Sequence, residues 1–257
     1  RISGANLPVD TWWIDAGWYL CQDSKTGQNN WARWVGNWTP DPNRYPNGVK
    51  PVADAAHQYG LNFLLWFEPE RVMIDSQIYK DHKDWLLYTE NFPSDQQYQA
   101  NDGFHLLNLA NSDALEWLKL KISSILNEVG IDIYRHDFNM YPLNYWRHND
   151  TADQQGITEI RYIMGLYGFF DHLLKSHEKL IIDNCASGGR RIDFEMLRRS
   201  LLLWRSDLCW DPVAQQSATY GLSFWLPLHG VGSISLDPYH FRSGMGSNFT
   251  LALDYYD

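Results

Sequence analysis

The chain has 257 residues and a formal net charge of −10, from 31 acidic and 21 basic side chains. This length is enough for one large domain with a well-buried core, and the acidic balance argues against a nucleic-acid partner. The sequence has no apolar run long enough to suggest a membrane span. Its three cysteines, Cys21, Cys185 and Cys209, are too few and too scattered for a disulfide framework or a CxxC metal site.

Segments typical of strands alternate with helical patterns along the chain. Strands are expected at residues 9–15, 61–70, 131–139, 180–189 and 201–208, with a further candidate at 231–237. Helices are expected at residues 49–59, 112–129, 155–175 and 192–199. Residues 61–70 are almost continuously apolar, as in a parallel strand that is buried on both faces. The alternation predicts an α/β fold.

Polar residues at the strand ends help to choose between an open doubly wound sheet and a (β/α)8 TIM-type barrel. They are Asp15, Glu68, Asp137, Cys185 and Asp207. In a barrel, such positions converge on one face, where the active site lies. No glycine-rich nucleotide-binding motif follows a strand, so the barrel is favoured. About six strands are counted, so the barrel is expected to be incomplete.

Aromatic side chains are abundant, with 13 Trp, 15 Tyr and 11 Phe. Flat rings with one polar tip suit surfaces that bind amphipathic ligands, and sugars are such ligands. For any single Trp, filling the core is an equally good interpretation. A cluster between Trp12 and Trp38 lies in a turn-rich region and favours sugar binding.

Asp137 is the candidate nucleophile for cleaving a glycosidic bond. That reaction needs two carboxyl groups, one ionised and one that holds a proton. Arg135 is expected to lower the pKa of Asp137, and Asn139 is expected to position Asp137 or the sugar. The alternative is that Asp137 simply forms an ion pair with Arg135, as Glu68 could with Arg71.

Asp207 is the candidate acid. Its neighbours Trp204, Leu208 and Trp210 are expected to raise its pKa by desolvation, provided that Arg205 points away. The alternative is an ordinary ion pair between Asp207 and Arg205.

These residues lie in motifs that resemble glycoside hydrolase family 36 of the melibiase clan, the bacterial α-galactosidases. The family's LWFEPE is unchanged at residues 65–70, and its KWDMN is similar to RHDFN at residues 135–139. Its CSSGGGRFD is similar to CASGGRRID at residues 185–193, and its WTSD to WRSD at residues 204–207. A PNGVKP block stands at residues 46–51. The order and spacing match over roughly residues 9–250.

The resemblance implies a (β/α)8 barrel and a retaining double displacement without metal or organic cofactor. Asp137 would be the nucleophile and Asp207 the acid/base. The other residues expected to bind the sugar are Asp15, Trp18, Trp38, Trp66, Glu68, Asp102, Arg135, Asn139, Cys185 and Gly188. The first barrel strand and the family's flanking β-domains have no counterpart here. Residues 1–257 are therefore expected to be a single catalytic barrel domain, incomplete at its N-terminus, from a longer multidomain protein.

The departures from the family concern the sugar. The family's acidic pair after the second strand becomes Asp15-Ala16, and the family's sugar-binding arginine aligns near Asp102, which has the opposite charge. Loss of a carboxylate that binds a hydroxyl changes substrate choice strongly. The predicted function is an exo-α-glycosidase that hydrolyses terminal α-linked galactose-type residues. α-N-acetylgalactosaminidase and α-galactosaminidase are alternatives.

Two further alternatives remain open, a raffinose-synthase-like transglycosylase and a non-catalytic carbohydrate-binding barrel. The predicted partner is a carbohydrate, with no nucleic acid and no membrane. A homo-oligomer is compatible with the sequence, which does not define the oligomeric state. A cytoplasmic and a secreted bacterial protein both fit.

Overall fold

A computed structural model describes residues 8–20, 31–90 and 103–252 of the chain. These residues form two compact units. The first contains the described residues up to Tyr134 together with Phe138–Leu180, and the second contains Arg135–Asp137 and the described residues from Ile181 onward. Both units mix helices with strands, so the predicted α/β class is confirmed.

The first unit is built on parallel strands β1 (Thr11–Ile14), β2 (Asn62–Phe67) and the beginning of β6 (Ile133–His136). β1 and β2 pair in parallel, with Ile14 opposite Leu65. Every residue of β2 after Asn62 is buried. This confirms the expectation of a strand covered on both faces, and it leaves Glu68 directly after the end of β2.

The helices of the first unit are α1 (Lys50–Gln58), α2 (Gln77–Asp81), α3 (Ser112–Val129), α4 (Leu143–His148) and α5 (Ile157–Ser176), with 3-10 turns at Trp31–Trp34 and Lys83–Trp85. α3 has the predicted bounds because local signals fix both of its ends. The Asn111 side chain accepts hydrogen bonds from the first turn, and Gly130 ends the helix with a φ of 78°.

A small antiparallel sheet in the first unit was not predicted. It consists of β3 (Arg71–Met73), β4 (Leu86–Leu87) and β5 (Phe104–Leu107), in the order β3–β5–β4. Two of its strands have only two and three residues, too few to show an alternating pattern.

The second unit contains β7 (Ile181–Asn184), α6 (Phe194–Leu197), β8 (Leu202–Leu203), α7 (Pro212–Leu222), β9 (Gly230–Ser233), α8 (Pro238–Gly244) and β10 (Asn248–Leu251). β7 pairs in parallel with β8, and β9 in parallel with β10. The strand predicted at residues 201–208 is shorter than expected, because an isolated bridge from Trp204 to Gly230 replaces the ladder. The candidate strand at residues 231–237 is confirmed in its first half as β9.

The part of the chain that the structure describes contains no helix long and apolar enough to cross a membrane.

Candidate active site

The nucleophile candidate Asp137 directly follows β6 and is 8% exposed. One of its carboxylate oxygens, Oδ1, accepts a hydrogen bond from the backbone N–H of Ser187 at 3.1 Å. Ser187 holds a φ of 51°, which is uncommon for a residue other than glycine, and Gly188 follows with a φ of 84°. A strained turn therefore aims a backbone donor at the carboxylate.

Arg135 forms a buried ion pair with Asp183 of β7, with Nη1 2.9 Å from Oδ1. Its guanidinium also lies over the Trp204 ring, 4.6 Å from the centroid. Sequence reasoning paired Arg135 with Asp137 and did not consider Asp183. The available signal was a carboxylate inside the apolar strand LIIDN, because a buried charge requires a partner.

The acid candidate Asp207 is exposed to solvent. Leu208 and Trp210 are 43% and 59% exposed, so these two neighbours do not supply the expected desolvation. Trp204 is buried and donates a hydrogen bond from Nε1 to Oδ1 of Asp207 at 2.7 Å. Asp207 is not desolvated as expected, because the Trp204 indole donates a hydrogen bond to its carboxylate and leaves the side chain exposed to solvent.

The turn at residues 185–189 connects these groups within the second unit. The Cys185 N–H donates to the His136 carbonyl at 2.7 Å, and the Gly188 N–H lies 3.4 Å from the Cys185 sulfur. A Cβ on Gly188 would lie 3.2 Å from the Cα of Ser206, and one on Gly189 would lie 2.6 Å from the Arg205 carbonyl oxygen. The glycines thus allow close packing of this turn against the segment that carries Asp207.

The pKa of the Cys185 thiol is raised well above its usual value, mainly by burial. The negative charge of Asp137 raises it further, Arg135 opposes this, and Asp207 adds a smaller increase. The thiol is therefore protonated at neutral pH. The charges of both candidate carboxylates thus act on the Cys185 thiol.

The Arg205 side chain lies among neutral partners. Its Nη1 is 2.9 Å from Nδ1 of His229, and its Nη2 donates to Oε1 of Gln215 at 3.0 Å. Burial lowers the pKa of Arg205, and burial together with the Arg205 charge lowers the pKa of His229. The guanidinium is thus directed to α7 and to the residue before β9. Arg205 was expected to point away from Asp207, and these partners agree with that expectation.

In the first unit, Glu68 is fully buried and forms an ion pair with Arg71, with Oε1 2.8 Å from Nε and Oε2 2.5 Å from Nη2. Oε1 also accepts the backbone N–H of Asn139 at 2.6 Å, and Oε2 lies 3.3 Å from Nδ2 of Asn139. The structure thus gives Glu68 an internal role. It holds the chain two residues after Asp137, and the pairing with Arg71 is the one considered above.

The three tryptophans predicted to bind sugar, Trp18, Trp38 and Trp66, are 1%, 4% and 1% exposed. The Trp18 indole donates to the Trp66 carbonyl at 2.8 Å, and the ring centroids of Trp18 and Trp38 lie 6.2 Å apart. In this structure the rings fill the core, because they pack on one another and on Phe67.

Of the remaining predicted residues, Asp15 is exposed after β1 and accepts the Ala16 N–H at 2.8 Å. Asp102 and Cys21 lie outside the described residues. Within residues 8–20, 31–90 and 103–252, no three His, Cys, Asp or Glu side chains are grouped so that they could hold a metal ion.

The model of the Melibiase family matches residues 2–246, so this chain belongs to the melibiase family. α-Galactosidase 2 of Pediococcus pentosaceus is 33% identical over 83% of this chain and 28% of its own length. The structure of an α-galactosidase from Lactobacillus brevis superposes with a TM-score of 0.81 at 26% identity, covering 98% of this chain and 34% of that one.

A variant of the family 36 α-galactosidase AgaA from Geobacillus stearothermophilus, in complex with 1-deoxygalactonojirimycin, gives a TM-score of 0.81 at 25% identity. The match covers 98% of this chain and 35% of that one. The chain thus spans about a third of the length of the relatives that it matches.

Proposed function

We propose that this chain is the catalytic part of a retaining exo-α-glycosidase that releases terminal α-linked galactose-type residues. The observation that carries the proposal is the arrangement of the second unit. There, one turn donates a hydrogen bond to Asp137 and also packs against the segment that carries Asp207. Membership of the melibiase family and the α-galactosidase relatives support it.

In the first step, the Asp137 carboxylate attacks the anomeric carbon and Asp207 protonates the departing glycosidic oxygen. A covalent glycosyl ester forms as the bond to the leaving group breaks. In the second step, Asp207 removes a proton from water, which attacks the anomeric carbon and releases Asp137. The Ser187 N–H and the Trp204 indole orient the two carboxylates for these tasks.

The glycon is proposed to contact Asp15, Arg135, Asn139, Cys185 and Gly188. Arg135 is preorganised for this by its ion pair with Asp183. Glu68 is assigned to holding Asn139, and Asp102 to the glycon. Trp18, Trp38 and Trp66 stay predictions as sugar contacts, and their burial favours a role in the core.

The proposed architecture is a (β/α)8 barrel, incomplete at its N-terminus, in which residues 1–257 form a single catalytic domain of a longer multidomain protein. The parallel pairs β1–β2 and β7–β8 are the pairing that a barrel of this kind repeats. Strand ends carry Asp15, Glu68 and Asp137, as the active-site face of such a barrel requires.

The test is a hydrolysis screen of the full-length protein that carries this chain. The substrates are 4-nitrophenyl α-glycosides of galactose, N-acetylgalactosamine, galactosamine, L-arabinopyranose, fucose and glucose. We expect release from a galactose-type glycon, and loss of at least about 1,000-fold in Asp137→Asn, since covalent catalysis depends on this group. Lack of release from every sugar by the folded wild type would overturn the proposal.

Product analysis in the presence of sugar acceptors completes the screen. Transfer that exceeds hydrolysis would assign the chain to the transglycosylases, and binding without turnover would assign it to the carbohydrate-binding barrels.

A further inference from the structure

The loop after Asp207 presents an exposed tryptophan. Trp210 is 59% exposed and occupies the third position of a turn, in which the Asp211 N–H donates to the Leu208 carbonyl at 3.2 Å. The turn connects the segment after β8 to α7. Trp210 is thus three residues after the acid candidate Asp207, and both residues are exposed to solvent.

The backbone around Trp210 is firmly held. The Cys209 N–H donates to the Asp207 carbonyl at 2.8 Å, and the Cys209 carbonyl accepts from Nε2 of His240 at 2.5 Å. The Leu208 carbonyl accepts from Nε2 of Gln215 at 2.5 Å. α7 and α8 thus fix both peptide groups that precede Trp210.

The next residue is fixed as well. Asp211 is the N-cap of α7, and its Oδ1 accepts the N–H groups of Val213 and Ala214 at 2.9 and 3.0 Å. An exposed indole on a rigid backbone offers a large flat surface at a low cost in conformational entropy. This arrangement is typical of a binding platform.

The role proposed for Asp207 indicates which part of the substrate would bind to the Trp210 indole. A general acid protonates the oxygen that leaves with the aglycone, so the aglycone lies next to the acid during the reaction. The Trp204 indole fixes the orientation of the Asp207 carboxylate from the buried side. A pyranose ring presents C–H groups on one face, which pack on an indole.

We propose that Trp210 is the platform on which the leaving-group sugar of the substrate stacks, and that it determines aglycone specificity. This inference rests on the proposed function.

The test compares two substrates of the glycon that the screen identifies, an α-linked disaccharide and the α-glycosyl fluoride. For galactose these are melibiose and α-galactosyl fluoride. In Trp210→Ala we expect kcat/KM for the disaccharide to fall about fivefold, the fold-change of a lost stacking contact. The value for the fluoride, which has no aglycone ring, stays within about twofold of wild type. Trp210→Phe recovers most of the loss, because it restores a flat ring.

Trp225→Ala is the matched control, since Trp225 is another tryptophan of the second unit and is 42% exposed. We expect it to change neither substrate. Equal losses for both substrates in Trp210→Ala, or no loss for either, would overturn the platform. Lack of turnover of both substrates by wild type would instead show that the proposed function itself fails.

Discussion

At the residue scale, the fully buried Glu68 carboxylate forms an ion pair with the fully buried Arg71 guanidinium and accepts a hydrogen bond from the backbone N–H of Asn139. We expect Glu68→Gln to lower the free energy of unfolding by about 3 kcal/mol, because it removes one charge of a buried pair. It should also lower kcat, since Asn139 lies two residues after the proposed nucleophile Asp137. Urea denaturation and steady-state kinetics measure the two effects.

Glu195→Gln is the control for Glu68→Gln. Glu195 forms ion pairs with Arg198 and Arg199 at the surface, where water screens the charges. Its urea midpoint should stay close to wild type. A Glu68→Gln protein as stable and active as this control would contradict the role assigned to Glu68.

A second residue-scale prediction concerns pH and His229. Burial and the Arg205 charge lower the pKa of His229 in the folded protein, whereas the unfolded chain binds the proton at its ordinary pKa of about 6.5. The unfolded state therefore binds more protons below that pH, so the His229 contribution to stability is complete above it and is lost as the pH falls.

Thermal unfolding of wild type and His229→Asn at pH 8 and pH 5.5 tests this sign. Asn can still accept from Arg205 but does not titrate. Wild type should lose more thermal stability than the variant on acidification. His105 and His177, whose pKa values are also lowered by burial, contribute equally to both proteins. A larger loss in the variant would reverse the assignment.

At the element scale, α5 carries two glycines in very different surroundings. A Cβ on Gly165 would lie 2.0 Å from the Leu109 carbonyl oxygen, whereas one on Gly168 would meet nothing within 4 Å. We expect Gly165→Ala to destabilise the protein by about 3 kcal/mol through overpacking. Gly168→Ala should stabilise it by about 0.5 kcal/mol, because alanine favours the helix. Urea denaturation of the two variants measures these changes. Similar free energies of unfolding for Gly165→Ala and Gly168→Ala would refute the close contact between α5 and Leu109.

Some helices and strands were predictable from the sequence, and others were not. α3 was predicted with its observed bounds because Asn111 and Gly130 encode its ends locally. β8 was predicted too long, since the apolar pattern of residues 201–208 does not show that Trp204 pairs with Gly230 instead. β3, β4 and β5 depend on pairing partners far apart in the chain, and such short strands have no local pattern.

At the scale of the whole molecule, motif order predicted the family, which the match over residues 2–246 confirms. Asp137 and Asp207 were recognisable as candidates because the proposed chemistry limits the residue types that can perform it. Asp183 and Ser187 were missed, because their contacts depend on tertiary structure: an ion pair between neighbouring strands and a backbone N–H in a strained turn. The burial of Trp18 and Trp66 likewise depends on packing that composition does not reveal.

The central claim is that Asp137 forms the covalent intermediate, and mass spectrometry of the trapped enzyme tests it most directly. Asp207→Asn is treated with the α-glycosyl fluoride of the preferred glycon, which needs little acid assistance. The C1–F bond breaks, the C1–O bond to Asp137 forms, and the second step is slow without a base.

We expect one glycosyl unit on the peptide that contains Asp137, and none when Asp137→Asn is combined with Asp207→Asn. A glycosyl unit on a different carboxylate, or turnover through an inverted product with no covalent species, would contradict the account.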